Sequence, residues 1–364
     1  MGTPDSLKIA SMHRDFTINS MMENVLTGEI IDLWNGRQDL ENHIICHVSE
    51  ETFAEDEVRV LRAAQFSARF GYEIADETIE LCRNINISNL PFQRVLAELE
   101  KTFHKAEKPS IFFEQLRKMD QLDYWFSELK ALIGIEQDFN FHREGDVWTH
   151  TMLVLDEAAK VRQQTKHPKR LMLSALCHDM GKGVISYTDA NGVLQYCNYK
   201  KDGLRAAKEF TERITHSKNI AIYVENMINM YKKPNEVIEK GAKLKVINKM
   251  FDDTFNPNDL ILLSLCDSRG RVPQGKNNEK ILFECLDTYY KIMAQPYVIK
   301  SDLANTGISS KKKIAKALKY AHKLRLAGIE KPEALQRTFN YMGQPTVHNK
   351  KRKKKKKIKT GVII

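Results

Sequence analysis

The chain has 364 residues, 42% of them apolar and 29% charged, which fits a globular protein with room for two or three domains and a sizeable core. No apolar run approaches the roughly 18 residues needed to span a bilayer, and the opening MGTPDSLKIASM lacks the apolar stretch of a secretory leader, so no membrane partner is expected and the expected location is cytoplasmic. The formal charge of +10 is concentrated at one end: nine Lys and Arg lie within 350–359, leaving the rest of the chain near neutral.

In chain order, residues 1–50 carry the strand material. Segments 17–22, 29–33 and 44–48 are short β candidates, with TGE and NGR as turns. A piece this small buries no core by itself and looks like the last strands of a sheet whose earlier strands are absent. From about residue 51 the pattern is helical almost throughout. The fold class is therefore mainly α, with a small N-terminal β remnant followed by helical domains.

The first helix of that run is predicted over 51–70. Glu55, Asp56 and Glu57 form an acidic start, where the helix dipole favours negative charge. Val58, Leu61 and Ala64 form one apolar row, and Val60, Ala63 and Phe66 another. Asp56 and Arg59 are three apart and project from one face. A carboxylate beside a guanidinium is an acceptor next to a donor fork. Cytosine and adenine show an amino group beside a ring-nitrogen acceptor, whereas uracil and guanine show the opposite order. A fixed Asp–Arg pair can thus select C and A by hydrogen bonds. The alternative is a solvated ion pair worth about 0.2–0.5 kcal/mol. Further helices are predicted over 75–85 with Asp76 as N-cap, then 91–105, 110–119 and 125–134.

A second constellation begins at HREGDVWTH. His150 opens an apolar helix, LMLSALC ends in His178-Asp179 followed by MGKG, and ILLSLC ends in Asp267 followed by SRGR. Three apolar segments each deliver polar ligands at one end. Imidazole and carboxylate together suit a divalent metal that could polarise a phosphate and activate water. The alternative is a set of core histidines and caps. Lys182 either meets a phosphate or is solvated. Residues 296–341 have a helix–turn–helix look with Gly328 as a stop, and Lys311, Lys312, Lys313, Lys316 and Lys319 form a basic edge, suited to an RNA backbone or simply exposed. The basic run at the C-terminus repels itself and is expected to be disordered. The six cysteines show no CxxC and are expected to be free thiols.

HRDFTINSM (13–21), TGEIIDLWNG (27–36) and EDEVRVLRAAQFSARFGY occur in this order and at close spacing. Together they resemble the class II tRNA nucleotidyltransferases, the CCA-adding enzymes, and the related bacterial poly(A) polymerases, over nearly the whole chain. The resemblance implies tRNA, CTP and ATP as partners and Mg²⁺ as the cofactor of nucleotidyl transfer. It implies that Arg14 touches the nucleotide, that Asp56 and Arg59 read the base, and that Arg62 helps hold the triphosphate. Gln65 stands where a further Arg is often found. Arg94 and Glu98 resemble an ERxxxE segment with Gln93 in place of the first Glu, so Arg94 is either a nucleotide-site residue or part of a surface ion pair. The H…HD…D order resembles the HD superfamily of metal-dependent phosphohydrolases, with His150, His178, Asp179 and Asp267 as the implied ligands of a divalent metal. NYKKDG and Tyr231 stand where HD relatives often carry extra histidines, so a two-metal site is not expected. The implied domains are 1–50, a remnant of a nucleotidyltransferase head; 51–135, a helical neck that reads the nucleotide and binds RNA; 136–295, an HD domain; 296–345, a C-terminal helical segment; and 346–364, the basic tail.

In that family the Mg²⁺ carboxylates come from a GSxxD turn and a DxD upstream of RDFTIN. Thirteen residues precede Arg14 and no DxD occurs in the chain. No catalytic carboxylate is therefore assigned. The chain is expected to be incomplete for transfer by itself, as a fragment, as a split enzyme completed by a separate chain carrying the catalytic head, or as a protein that has dropped the chemistry. A stand-alone HD phosphohydrolase, acting on a phosphomonoester or a 2′,3′-cyclic phosphate, is the second reading. A non-catalytic RNA-binding remnant is the third.

Overall fold

The structure is a computed structural model that describes residues 4–184, 186–188, 194–196, 199–303, 308 and 310–343. The basic tail, Cys197 and part of the 296–341 segment lie outside the described residues. The chain divides into two compact units, one of Met1–Tyr231 with Leu262–Asn277, the other of Lys232–Ile261 with the residues from Asn278 on.

The first unit begins with a small α/β piece that is more helical than its sequence suggests. Helices Pro4–Met12 and Gly36–Glu41 flank strands of two residues each, Met22–Glu23 antiparallel to Ile30–Ile31. The predicted strand 17–22 is mostly a 3₁₀ turn, Thr17–Asn19. Its cause is local: Asp15 Oδ1 accepts from the Phe16 amide at 3.0 Å and from Asn19 Nδ2 at 2.7 Å, so side chains satisfy groups that a strand would pair across a sheet. The predicted strand 44–48 shrinks to Ile44–Ile45, which pairs in parallel with Glu73–Ile74, a strand absent from the sequence reading.

The predicted helix 51–70 is two helices, Glu50–Phe53 and Val58–Phe70. The acidic triplet between them is a turn, because Asp56 Oδ1 accepts the Val58 amide at 3.2 Å in place of an upstream carbonyl bonding pattern. Asp56 therefore stands just before the Val58–Phe70 helix and not on its face. That helix buries Val58, Leu61 and Ala64 and also Val60, Ala63 and Ala68, and ends at Gly71 with φ +71°. It packs against Phe92–Lys105 and Ser110–Lys118. Helix Asp76–Arg83 has Ala75, not Asp76, at its N-cap; Asp76 lies in the first turn. Of 125–134 only Ser127–Lys130 is helical.

Six α-helical segments among the described residues follow in the same unit: Val147–Val161, Pro168–Cys177, Gly181–Val184, Tyr199–Thr215, Lys218–Met230, and the part of Pro257–Arg269 from Leu262 on. Trp148, Leu155, Leu171, Leu173, Phe210, Val224, Leu262 and Cys266 are fully buried among them. The five described cysteines are free thiols. In the second unit, helices Lys311–Leu326 and Lys331–Tyr341 close on a cluster that includes Leu303, Ala317, Ala321, Ala334 and Phe339. Ser310 caps the first of these by accepting the Lys313 amide, and Gly328 at φ +75° ends the turn after it. Among the described residues, no helix is long and apolar enough to cross a membrane.

Gly36 is held against the Thr17 turn. A Cβ there would lie 2.3 Å from the Thr17 carbonyl oxygen. Gly36→Ala is expected to destabilise the chain by about 1–3 kcal/mol, the usual penalty of overpacking against backbone. Thermal melts compare the two; an unchanged Tm would refute the close approach.

Candidate functional site

Residues His13 to Asp15 and the Val58–Phe70 helix are laced together along one wall of a cavity of about 360 Å³. It is lined by His13, Arg14, Asp15, Asp56, Val58, Arg59, Arg62, Arg94, Ala97 and Glu98. The structure thus brings together all five sequence-predicted nucleotide residues. Their mutual bonding differs from the expected pair. Arg59 donates to the Thr52 carbonyl and, at 2.5 Å, to the His13 carbonyl. Arg62 Nε donates to Asp15 Oδ2 at 2.5 Å. Asp56 Oδ2 accepts from Arg94 at 2.7 Å, and Asp56 and Arg59 are joined through the backbone, the Arg59 amide donating to the Asp56 carbonyl at 3.0 Å, and not through their side chains.

Arg14 lies between two tied residues. The His13 carbonyl is taken by Arg59 and the buried Asp15 carboxylate by Arg62. Arg14 itself is exposed, and among the described residues its guanidinium makes no hydrogen bond or ion pair. A free cation on a fixed stretch of backbone suits an incoming phosphate. Partial burial alone would raise the Asp56 pKa, but the Arg94 and Val58 hydrogen bonds and the charges of Arg94 and Arg59 outweigh it and hold the carboxylate below its ordinary value. Gln65, which stands where the family resemblance places a further arginine, is buried in the interior. Sequence reasoning passed over His13, Asp15 and the pocket role of Glu98. Their signal was adjacency to Arg14 and the four-residue step from Arg94.

The structure brings His150, His178, Asp179 and Asp267 together and sets five further residues around them, Lys182, Tyr231, Arg271, His142 and Glu144. His150 Nε2 lies 3.2 Å from Asp267 Oδ1 and 4.0 Å from Asp179 Oδ2; His178 Nε2 lies 3.8 Å and 3.5 Å from the same two oxygens. His178 Nδ1 lies 2.7 Å from the Ala175 carbonyl oxygen, which can only accept, so Nδ1 carries the proton and Nε2 presents a lone pair. Burial pushes the His178 pKa down to about 4, keeping it neutral. Its buried Nε2 has no hydrogen-bond partner.

Around this core, Asp179 accepts from Lys182 at 2.6 Å and from the Tyr231 hydroxyl at 2.8 Å, and Asp267 accepts from Arg271. Lys182, expected to be phosphate-facing or solvated, is instead mostly buried and bound to Asp179 and Gln137. Tyr231, read only as a departure from the family pattern, belongs to the cluster. Glu144 Oε1 lies 2.9 Å from His150 Nδ1 and 2.7 Å from His142 Nδ1, so His142, Glu144 and His150 form a second group of ligand-type atoms. Burial lowers the His150 pKa, but Asp267, Glu144 and Asp179 outweigh it and raise it to about 9. The Glu144 carboxyl is held down at about 2 by the His150 imidazole 2.9 Å away and by its hydrogen bond with His142, against the opposing effect of burial.

An arginine-lined pocket and a buried H…HD…D cluster are thus held on a mainly α-helical fold. Residues 4–46 match the poly A polymerase head domain family. The multifunctional CCA protein of Actinobacillus pleuropneumoniae serotype 5b is 34% identical over 307 residues, covering 80% of this chain and 72% of that protein. The multifunctional CCA protein of Haemophilus ducreyi is 33% identical over 274 residues, 72% and 65% of the two chains. A CCA-adding enzyme solved with CTP shares the fold at a TM-score of 0.63 and 17% identity, over 93% of this chain and 72% of that one. The Thermotoga maritima CCA-adding enzyme solved with tRNA does so at 0.58 and 18%, over 92% and 74%. The chain belongs to the CCA-adding enzyme family of nucleotidyltransferases.

Glu144 gives a test of the cluster's electrostatics. A carboxyl depressed in the folded state stabilises the fold above its ordinary pKa of 4.5, and the contribution disappears as pH falls towards the folded value of about 2. Glu144→Gln is expected to cost about 3 kcal/mol at pH 7, as for a broken buried pair. The gap from the parent should narrow below about pH 4.5 and close near pH 2, as read from urea titrations of the chelator-treated chain. A gap independent of pH would refute the assignment.

Proposed function

We propose that the pocket receives CTP or ATP during building of a tRNA 3′ end. Asp56 accepts from the base's amino group, Arg59 donates to its ring nitrogen, and Arg14 and Arg62 meet the triphosphate. The observation that carries this is one cavity lined together by Asp56, Arg59 and an Arg14 whose guanidinium has no partner among the described residues. Arg59 is held by two backbone carbonyls, so its remaining N–H groups are pre-oriented and little rotamer entropy is lost on binding. Relatives named for CCA addition, and fold neighbours solved with CTP and tRNA, support the same substrates. Nucleotidyl transfer also uses paired carboxylates on a divalent metal, Mg²⁺ in this proposal. This sequence has no DxD pair, so no step at the α-phosphate is assigned to its residues. What these residues supply is selection of the base and grip on the phosphates.

Equilibrium binding to the full chain tests the reading. Asp56→Ala is expected to weaken CTP and ATP about tenfold, the loss of a hydrogen bond to a charged acceptor, and to reduce their preference over UTP and GTP. Arg14→Ala should weaken all four nucleotides alike. A parent chain that binds UTP and GTP as tightly as CTP and ATP would overturn base selection.

A second activity is supported by His178 Nε2, a buried lone pair without a donor at the centre of four ligand-type groups. His150, His178, Asp179 and Asp267 fit a divalent transition metal, which when bound would supply a Lewis acid for a phosphate and an activated water. Tyr231 and Lys182 orient Asp179, Arg271 orients Asp267, and Glu144 orients His150. The substrate class is a phosphomonoester or a 2′,3′-cyclic phosphate. His178→Ala is expected to reduce Ni²⁺ affinity at least about tenfold by calorimetry and to abolish any Ni²⁺- or Mn²⁺-dependent phosphatase activity. Unchanged Ni²⁺ binding would remove this reading.

A further inference from the structure

The carboxylate proposed to read the base is already engaged. Asp56 Oδ1 accepts from the Val58 amide at 3.2 Å, and Asp56 Oδ2 accepts from Arg94 at 2.7 Å. An amino group that is to meet Asp56 must find Arg94 elsewhere. Four residues along the same helix, Phe92–Lys105, stands Glu98, a buried residue that also lines the cavity. Its Oε1 accepts from Lys101 at 2.6 Å. Its Oε2 is shielded from solvent and has no hydrogen-bond partner. A buried carboxylate oxygen left without a donor is costly, and residues four apart on a helix reach one another.

We infer that Arg94 has two seats, Asp56 in the empty pocket and Glu98 Oε2 when a nucleobase occupies Asp56, so that Arg94 is a placeholder whose displacement helps set base selection. The inference rests on the nucleotide-reading function proposed above. Its chemistry follows from what each base offers. Cytosine and adenine bring an N–H donor that replaces the Arg94 donor at Asp56 one for one. Uracil and guanine bring a carbonyl oxygen to the same point, which cannot replace a donor and leaves Arg94 in place. The orphan oxygen of Glu98 then receives the displaced guanidinium, so no cation is left unpaired in the C- or A-bound state. Arg94 is a positioning residue in this scheme and Glu98 acts only through it. The half-exposed Arg94 and the partly exposed Asp56 make the first seat a weak one, suited to displacement.

A double-mutant cycle on the full chain tests the two seats, with CTP, ATP and UTP affinities measured for the parent, Arg94→Gln, Glu98→Gln and the double variant, and thermal melts confirming that each folds. Arg94→Gln is expected to tighten CTP and ATP by up to about fivefold, the scale of a surface pair, and to leave UTP unchanged. Glu98→Gln should weaken CTP and ATP by a similar factor in the parent and have no effect in the Arg94→Gln background. Arg94→Lys, which keeps the charge, should behave like the parent. Weaker CTP binding in Arg94→Gln, or an equal effect of Glu98→Gln in both backgrounds, would overturn the placeholder alone. A parent that binds neither CTP nor ATP would overturn the nucleotide-reading function and this inference with it.

Discussion

The arginine-lined pocket depends on one lacing: two arginines of the Val58–Phe70 helix reach back to the residues on either side of Arg14. Arg59 takes the His13 carbonyl and Arg62 takes the Asp15 carboxylate. Thr52 Oγ1 adds a bond to the Met12 carbonyl at 2.5 Å, and the Thr17 and Val48 amides donate to the Cys46 and Asp15 carbonyls. The Asp15 side chain is buried under Arg62, where a hydrogen-bonded charge pair is worth more than at the surface. The helix therefore does two jobs with neighbouring positions. Its apolar rows hold the neck together, and its arginines fix the backbone that carries Arg14 into the cavity. A free cation is useful at a binding site only when its backbone cannot move away, and the lacing supplies that condition.

The HD cluster rests on a related balance of charge. Three carboxylates, Glu144, Asp179 and Asp267, meet within a buried space, and Lys182, Arg271 and the imidazole of His150 stand against them. Burial by itself would push the carboxyl groups towards their neutral forms. The opposing cations and hydrogen bonds prevail, holding Asp267 and Glu144 ionised and raising His150, while at His178 burial prevails and keeps the ring neutral. Two histidines a few ångströms apart thus carry opposite tendencies: the surrounding carboxylates outweigh burial at His150, and burial outweighs them at His178. The residues that make this difference lie outside the HD dipeptide.

Where the sequence misled, the cause was usually a short polar side chain acting on nearby backbone. Asp15 with Asn19 turned an expected strand into a 3₁₀ turn, and Asp56 broke an expected helix at its acidic start. Periodicity reads the apolar face of an element and says little about such local bonds, so the helix existed where expected while its first residues did not. Strands of two residues, such as Glu73–Ile74, are too short to show alternation at all. Lys182 looked exposed because it follows a glycine near a helix end, yet it turns inward to Asp179.

Residue types and spacing determined the mainly helical class, and the resemblance of short motifs to the CCA-adding enzymes pointed to the family, to the five arginine and aspartate positions that gather in one pocket, and to the four histidine and aspartate positions of the H…HD…D cluster. Each of these is written in local order, as an apolar repeat or a motif a few residues long. Only the tertiary structure decided who bonds to whom: Asp56 with Arg94 and not Arg59, Arg62 with Asp15, Tyr231 with Asp179, Arg271 with Asp267, and Glu98 with one oxygen left over. Most of these partners are tens of residues apart, and the choice among several acceptors within reach of one guanidinium is made by packing, which no spacing in a single chain encodes.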